Sequence, residues 1–368
     1  MKQMIDVKQI SIIGLGLMGG SIALALKNRG FKGKIVGYDI CRDYVDEALG
    51  SKAIDMGADS PGEAVIGAGL VIIAVPISQY KAIFNEINPF LSLGCIVTDI
   101  GSVKLEPVEL AEKLLPKGRH FVGGHPMTGS ERGGFNAADP FLYENAYYFL
   151  TPREDTPAEA VGTMEDLIKS LGAYAVPIAP KEHDLIVSRI SHLPHIIAST
   201  LVNFMDNDKG ISYLTFVGGG FRDTTRIASG NPHMWRDILF ANKGEVIESI
   251  EYFQTLLDEF KLGLQHNEKD RIVKLLENAR VIRNSVPHKG RDYNPPVYEV
   301  FVSIEDKPGS IAGLTQLISS YNINIKQTEI LHSRQNEGGA FRLVFENKED
   351  RELVLKILKE RGLLNGYD

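Results

Sequence analysis

Four short segments carry polar residues that packing alone does not require. They are Asp99-Ile-Gly-Ser102-Val-Lys104, Gly123-Gly-His125-Pro-Met-Thr-Gly-Ser-Glu131, His192-Leu-Pro-His195, and Gly218-Gly219-Gly-Phe-Arg222-Asp223-Thr-Thr-Arg226, with Trp235 shortly after the last. Histidine has an unperturbed pKa of about 6.5, so it can take or give a proton near neutral pH. Arginine presents a planar fork that matches a carboxylate bidentately. The set suits proton transfer on an anionic substrate. Each residue also has a plainer reading. His125 can be a structural histidine at a strand end, and Ser102 a helix N-cap before Val103-Lys104. Arg226 can pair with Asp223 or Glu131. Trp235, the chain's single tryptophan, can fill a core or an interface. His192 and His195 share a helical face at a spacing that suits a metal. No third ligand accompanies them, so no metal is expected.

A fifth segment explains how such groups would be positioned. Ile10 to Ile13 is an apolar, strand-like run that feeds Gly14-Leu-Gly16-Leu17-Met18-Gly19. An alanine- and leucine-rich helical stretch follows, and then a second strand-like run that ends on Asp39. Strand, Gly-x-Gly-x-x-Gly, helix, strand and acid in this order make the dinucleotide-binding fingerprint. Gly14 permits the turn, Gly16 lets backbone approach a pyrophosphate, and Gly19 lets helix pack on strand. Asp39 stands about 20 residues on, where a carboxylate accepts ribose hydroxyls and disfavours a 2′-phosphate. NAD is the expected cofactor, although Arg42 stands close enough to meet a phosphate.

Composition bounds the rest. The chain has 368 residues, enough for two or three domains, and a net charge of −7. No basic stripe points to nucleic acid. The uncharged run Ile10 to Leu26 is too short and glycine-rich for a membrane span and lacks a cleavage site. Cys41 and Cys95 are the only cysteines, which excludes a disulfide framework. A cytoplasmic protein is expected, with neither membrane nor nucleic acid as partner.

The first 180 residues alternate strand-like and helical patterns, which predicts a mostly parallel, doubly wound α/β sheet of Rossmann type. Strands are expected at Leu70–Pro76, Cys95–Asp99, His120–Pro126, Ala146–Thr151 and Ala173–Pro177. A helix is expected to open at Thr156-Pro157, with Thr as cap and Pro in the first turn. Ligands of such sheets gather at the carboxyl ends of the strands. Val75, Pro76, Ser102 and His125 fall there and should ring the cofactor.

Residues 181–284 read as an all-helical domain for substrate and dimerisation. Helices are predicted over Lys181 to Met205, kinked by Pro194, Pro232 to Leu262, and Asn267 to Asn284, with Gly218–Gly220 as a loop. Long apolar helical faces predict a homodimer. Residues 285–296, with three prolines, form a linker. Residues 297–368 read as a small α+β unit with a strand, the turn at Asp306-Lys-Pro308-Gly309, a helix, a hairpin across Asn336–Gly339 and a last helix.

Taken together, the glycine loop and the four polar segments resemble the prephenate dehydrogenase (TyrA) family over Ile10 to about Arg283. The C-terminal unit resembles an ACT domain through its Asp306–Gly309 turn and Tyr321-Asn322-Ile-Asn324. The resemblance implies oxidative decarboxylation of prephenate to 4-hydroxyphenylpyruvate with NAD reduced, on the route to tyrosine. It implies His125 as the base at the substrate hydroxyl, with Ser102 bonding that hydroxyl and touching nicotinamide. Arg226 would grip a carboxylate and His195 would contact substrate. Glu131, Asp223, Gly219 and His192 would line or gate the pocket, and Trp235 would reach toward a partner subunit's site. Asp306, Pro308, Gly309 and Asn322 would surround an effector, with L-tyrosine the natural candidate. The usual ACT order ends in a strand, and only Gly362 to Asp368 are left to form one.

Two other functions stand beside this. One is a related dehydrogenase acting on arogenate, another hydroxy acid or an imine. The other is a nicotinamide-sensing regulator without chemistry, which would need neither a base nor a carboxylate clamp.

Overall fold

The structure is a computed structural model that describes residues 5–130, 132–205, 213–286, 298–304, 307–331 and 339–363. The chain divides into two compact units, Met1–Arg283 and Asn284–Asp368.

The first unit begins with β1 (Gln9–Ile13), α1 (Leu17–Asn28), β2 (Lys34–Tyr38), α2 (Arg42–Gly50), β3 (Met56–Gly57), α3 (Pro61–Ala64), β4 (Leu70–Ile73), α4 (Tyr80–Ile87), β5 (Ile96–Asp99) and α5 (Leu105–Leu114). It continues with β6 (His120–Pro126), β7 (Tyr147–Thr151), α6 (Ala158–Leu171) and β8 (Tyr174–Pro177). The sheet runs β3-β2-β1-β4-β5-β6-β7-β8. Strands β1 to β6 are parallel, and β7 pairs antiparallel to β6 with His125 opposite Phe149. This is the expected doubly wound α/β sheet. The strand order reverses between β1 and β4, so the glycine loop and Val75 flank the switch point, where such sheets bind ligands. Ile10, Ile12, Ile72 and Val97 are fully buried between the helical layers. Fully covered parallel strands read as such apolar runs.

Two details differ from the sequence expectation. α6 starts one residue late, with Pro157 in the capping position. The Thr156 hydroxyl accepts from the Arg153 N–H at 2.9 Å instead, closing the preceding turn. β3 and α3 are too short to show a period.

The helical part comprises α7 (Pro180–Val187), α8 (Leu193–Phe204), α9 (Gly219–Thr225), α10 (Pro232–Ala241), α11 (Lys243–Gln265) and α12 (Lys269–Ser285). A π-turn, Ser188–His192, joins α7 to α8. Pro194 then falls in the first turn of α8, where a missing N–H is tolerated, so the irregularity sits before the proline. Gly218 caps α9 and is not part of a loop spanning all three glycines. The single helix expected over Pro232 to Leu262 is broken at Asn242, which has φ −112°. Its buried amide donates to the Asp184 carbonyl at 2.8 Å and lies 3.2 Å from His192 Nδ1.

Pro180–Phe204 is the one stretch, among the described residues, long and apolar enough to cross a bilayer. Asp184, His183, His192 and His195 are buried along it and bonded or packed within this unit, while 28% of its most apolar window is buried.

The second unit contains β9 (Tyr298–Ile304), α13 (Ser310–Ser319), β10 (Gln327–Leu331), β11 (Gly339–Phe345) and α14 (Lys348–Glu360). Its antiparallel sheet runs β10-β11-β9. Val300, Val302, Leu314, Ile318, Leu343, Val354 and Leu358 make its core. The linker residues 287–297, the hairpin tip 332–338 and the stretch 364–368 lie outside the described residues.

Candidate active site

The parallel pairing sets the ends of β1, β4, β5 and β6 side by side, about 4.8 Å apart. Gly14, Val75, Ser102 and His125 therefore line one edge of the sheet. Gly14 has φ +98°, and a Cβ there would lie 2.3 Å from the Ala74 carbonyl oxygen. A Cβ on Gly19 would lie 1.9 Å from the Gly14 oxygen. Gly16 is different: nothing lies within 4 Å of its would-be Cβ. It caps α1 without a side-chain partner, which leaves open space before the free N–H groups of Leu17 and Met18. That is a cradle for a phosphate.

Asp39, one residue past β2, accepts from Leu15 N–H at 2.7 Å and Cys41 N–H at 2.8 Å. Each carboxylate oxygen keeps a lone pair for a ribose hydroxyl. Arg42 is held by Asp59 at 2.8 Å and Asp46 at 3.3 Å. Its charge is thus answered by carboxylates. Val75 is half-buried and Pro76 exposed beside this edge.

His125 is buried at the end of β6. Its Nδ1 lies 2.8 Å from His183 Nε2, and His183 Nδ1 lies 2.7 Å from Asp184 Oδ1. The network assigns the protons. An ionised carboxylate only accepts, so His183 Nδ1–H donates to Asp184 and its Nε2 accepts from His125 Nδ1–H. The remaining nitrogen of His125, Nε2, keeps its lone pair. Burial first, then the charges possible on His183 and Lys104, hold His125 well below the ordinary histidine range. It is therefore neutral near pH 7, with Nε2 unprotonated.

Asp184 also accepts from the N–H groups of Lys104 at 2.8 Å and Leu105 at 2.9 Å. A residue of α7 thus caps α5, the role the sequence offered to Ser102. Among the described residues the Ser102 hydroxyl has no hydrogen-bond partner. Lys104 is fully buried. Its ammonium donates to Asp99 and, at 2.6 Å, to the Gly124 carbonyl. Asp99 also accepts from Tyr80 Oη at 2.9 Å, Gly101 N–H at 3.0 Å and Gly124 N–H at 3.1 Å. Glycines at 123 and 124 are required here. A Cβ on Gly123 would lie 2.3 Å from Thr151 Oγ1, and one on Gly124 2.6 Å from the Asp99 carbonyl.

His195 stacks on Trp235 of its own chain, with ring centres 3.7 Å apart and planes 10° apart. His192 meets the same indole edge-on. His192 Nε2 and His195 Nδ1 are buried without a partner among the described residues. Arg226 opens a short 3-10 turn after α9 and is exposed, as are Gly219, Arg222 and Asp223. Among the described residues Arg226 makes no ion pair, so the internal pair with Asp223 does not form. Glu131 lies outside the described residues. No three His, Cys, Asp or Glu side chains converge among the described residues. In the second unit, Gly309 has φ +91° and caps α13, Pro308 is exposed, and Asn322 has φ +59°. Asp306 lies outside the described residues.

The structure adds His183, Asp184, Lys104 and Asn242 to the site. The adjacent His183-Asp184 pair was the available signal for the first two, and Lys104 closed a segment already singled out.

His125, His183, His192 and His195 all sit below the ordinary range, in each case chiefly through burial. His192 falls to about 4. A folded pKa below the unfolded one means the unfolded chain binds protons first. Stability is complete above about 6.5 and drains as pH falls toward about 4, by about 1.4 kcal/mol per pH unit for one such group. Calorimetry should show the unfolding temperature dropping across this window, with a shallower slope for His192→Gln. An unchanged slope would remove His192 from the account.

Models of known protein families match both units of the chain. The family model for the prephenate dehydrogenase nucleotide-binding domain matches residues 22–176. The model for the prephenate dehydrogenase dimerization domain matches 179–278, and that for the ACT domain matches 298–362. The prephenate dehydrogenase of Bacillus subtilis is 36% identical over 365 residues, covering 98% of each chain. The cyclohexadienyl dehydrogenase of Zymomonas mobilis is 29% identical, covering 75% of this chain and 95% of its own. Among solved structures, prephenate dehydrogenase from A. aeolicus in complex with hydroxyphenyl propionate and NAD+ superposes with a TM-score of 0.72 at 33% identity, covering 76% of this chain and 98% of that one. The arogenate dehydrogenase of Synechocystis gives 0.68 at 28% identity, covering 76% and 100%. With its glycine cradle and 36% identity across nearly its whole length to such an enzyme, the chain belongs to the prephenate dehydrogenase family.

Proposed function

We propose that the protein oxidises and decarboxylates prephenate to 4-hydroxyphenylpyruvate with NAD, in tyrosine biosynthesis. The observation that carries this reading is His125: neutral, buried, and held by His183 at Nδ1, which leaves Nε2 as an acceptor. Bound NAD supplies the hydride acceptor. The residues of the chain do the remainder. Gly14, Gly16 and the start of α1 hold the pyrophosphate, and Asp39 the ribose. Leu17, Met18, Val75 and Pro76 line the same cradle. His125 takes the proton of the substrate hydroxyl, and Ser102 bonds that oxygen. As the hydroxyl carbon becomes a carbonyl, the ring carboxylate leaves as carbon dioxide and its electron pair completes the aromatic ring. Arg226, without an ion pair among the described residues, grips a substrate carboxylate. His195, stacked on Trp235, contacts substrate through Nδ1, which has no partner among the described residues, and His192, Gly219, Asp223 and Glu131 complete the surroundings.

Arg226→Lys keeps the charge and loses the fork. One charge-assisted bond contributes about 1.5–3 kcal/mol, so KM for prephenate should rise roughly tenfold or more while the affinity for NAD stays level. Steady-state kinetics would show it, and an unaltered KM would move the anchor elsewhere.

A homodimer through the helical domain is part of this reading. Tyr252, Leu257, Leu264, Leu276 and Val281 are more than half exposed on α11 and α12, an apolar surface suited to a second copy. Cys41 and Cys95 are free thiols, which fits a reducing cytoplasm. The ACT unit is read as the seat of feedback by L-tyrosine, with Asp306, Pro308, Gly309 and Asn322 around the effector.

The test is NADH formation by the purified protein with prephenate, repeated with arogenate, with NADP and with added L-tyrosine. Rapid NADH formation with prephenate, slowed by tyrosine, is the expected result. Reaction with arogenate alone would change the substrate, and reaction with neither would overturn the proposal. Rates indifferent to tyrosine would leave the ACT unit without that effector.

A further inference from the structure

We infer that the substrate proton does not remain on His125 but passes to His183, where Asp184 holds the imidazolium that results. This rests on His125 being the base. Three buried groups stand in one line. His125 Nδ1 is 2.8 Å from His183 Nε2, and His183 Nδ1 is 2.7 Å from Asp184 Oδ1. All three are at least nine-tenths buried. Asp184 is itself fixed by the first two N–H groups of α5, so its carboxylate cannot turn away from His183 without uncapping a helix.

The transfers balance. The substrate O–H bond breaks as N–H forms at His125 Nε2. The N–H at His125 Nδ1 then breaks as N–H forms at His183 Nε2. His125 ends neutral in its other tautomer and His183 ends as a cation. The hydride moves separately, and no further oxidant is involved. The same two transfers then run in reverse: loss of carbon dioxide leaves a phenolate oxygen, which takes the proton back from His125 Nε2 before product leaves.

The charges around the two rings favour this direction. Lys104, a fully buried cation, lies near both histidines, and His192 is a further titratable neighbour of each. Of the two rings only His183 touches a carboxylate among the described residues, and Asp99 adds to the charges that favour a cation on it. A cation resting on His125 would face Lys104 without an anionic contact. Moved one ring further, it is hydrogen-bonded to Asp184 and further from the developing carbonyl.

His183→Gln separates a relay from simple positioning. Glutamine can accept from His125 Nδ1–H through Oε1 and donate to Asp184, preserving the tautomer of His125, but it cannot take up a proton. A relay predicts a kcat lower by roughly a hundredfold or more, a displaced acidic limb in the kcat–pH profile, KM values for prephenate and NAD close to wild type, and partial rescue of His183→Ala by imidazole. Wild-type kcat and pH profile in His183→Gln would reduce His183 to a positioning residue and overturn the inference. Should the variant fail to fold, the wild-type enzyme decides through single-turnover rates in mixtures of light and heavy water. Two protons in flight give a curved dependence, and a linear or flat one overturns the relay. If wild-type enzyme makes no NADH from prephenate, the functional reading fails first, and that result is distinct from either.

Discussion

His125→Asn should lower kcat for prephenate oxidation by roughly 10²- to 10⁴-fold, the usual contribution of a positioned general base. The substitution is chosen for what it keeps. The asparagine amide can occupy the place of Nδ1 and donate to His183 Nε2, so the Asp184–His183 pair stays bonded. What is lost is Nε2 and its lone pair. Gly14, Gly16, Gly19 and Asp39 lie on other loops, so NAD affinity measured by fluorescence titration should be unchanged, as should the unfolding temperature at pH 7. Because His125 is held neutral by burial, the wild-type rate should persist well below pH 6.5, where an exposed histidine would already be protonated. A variant with kcat within tenfold of wild type and the same pH profile would show that the base is elsewhere. The regulator reading makes the opposite prediction, with no catalytic rate to lose.

The fold was legible where local chemistry dictates it. A turn at φ +98° needs Gly14, a strand covered on both faces needs an apolar run, and Gly19 packs too near Gly14 to carry a side chain. Each requirement is written in the residues themselves. The breaks in the helical domain were not legible, because their causes lie far off in the chain. The apolar period runs through Asn242, and only the bonds to Asp184 and His192, more than 49 residues away, show why the helix stops there. Gly218 to Gly220 suggested a loop because glycine weakens a helix interior. At a helix start that cost is smaller, and α9 begins on these residues.

The site divides in the same way. His125, Ser102, His195 and Arg226 stood out because their types suit an anionic hydroxy substrate and their flanking residues are unusual. Asp184 did not, because its three bonds run to an adjacent histidine and to a helix start 80 residues earlier. An acid in a helix reads as solvated surface until tertiary structure buries it. Ser102 shows the converse. As a sequence it was a fair N-cap, and the cap proved to come from Asp184, which leaves the Ser102 hydroxyl available at the sheet edge. One carboxylate thus ties the helical segment to the nucleotide-binding domain and orients His125 through His183. Domain packing and the placement of the candidate base are fixed by the same atoms.

The largest loss of stability from one substitution in this region is expected for Lys104→Met. Lys104 and Asp99 are both fully buried and paired. Removing one partner of such a pair costs about 3–5 kcal/mol, because the other charge is left uncompensated. Against a total of about 5–15 kcal/mol for a folded domain, that is a large share. Methionine matches the lysine stem in length, so the loss reports the charge and the two hydrogen bonds rather than a cavity. Asp99 would keep its bonds from Tyr80, Gly101 and Gly124, which softens the loss without removing it. The Gly124 carbonyl would keep no side-chain donor. Denaturant unfolding of the first unit measures this directly. Pairing Lys104→Met with Asp99→Asn gives the coupling, and the double variant should lose clearly less than the sum of the singles, because the second change no longer strands a charge. Since Gly124 adjoins His125, kcat should fall as well, even where the variant is fully folded. A change below about 1 kcal/mol would show that the Lys104–Asp99 pair does not hold this region together.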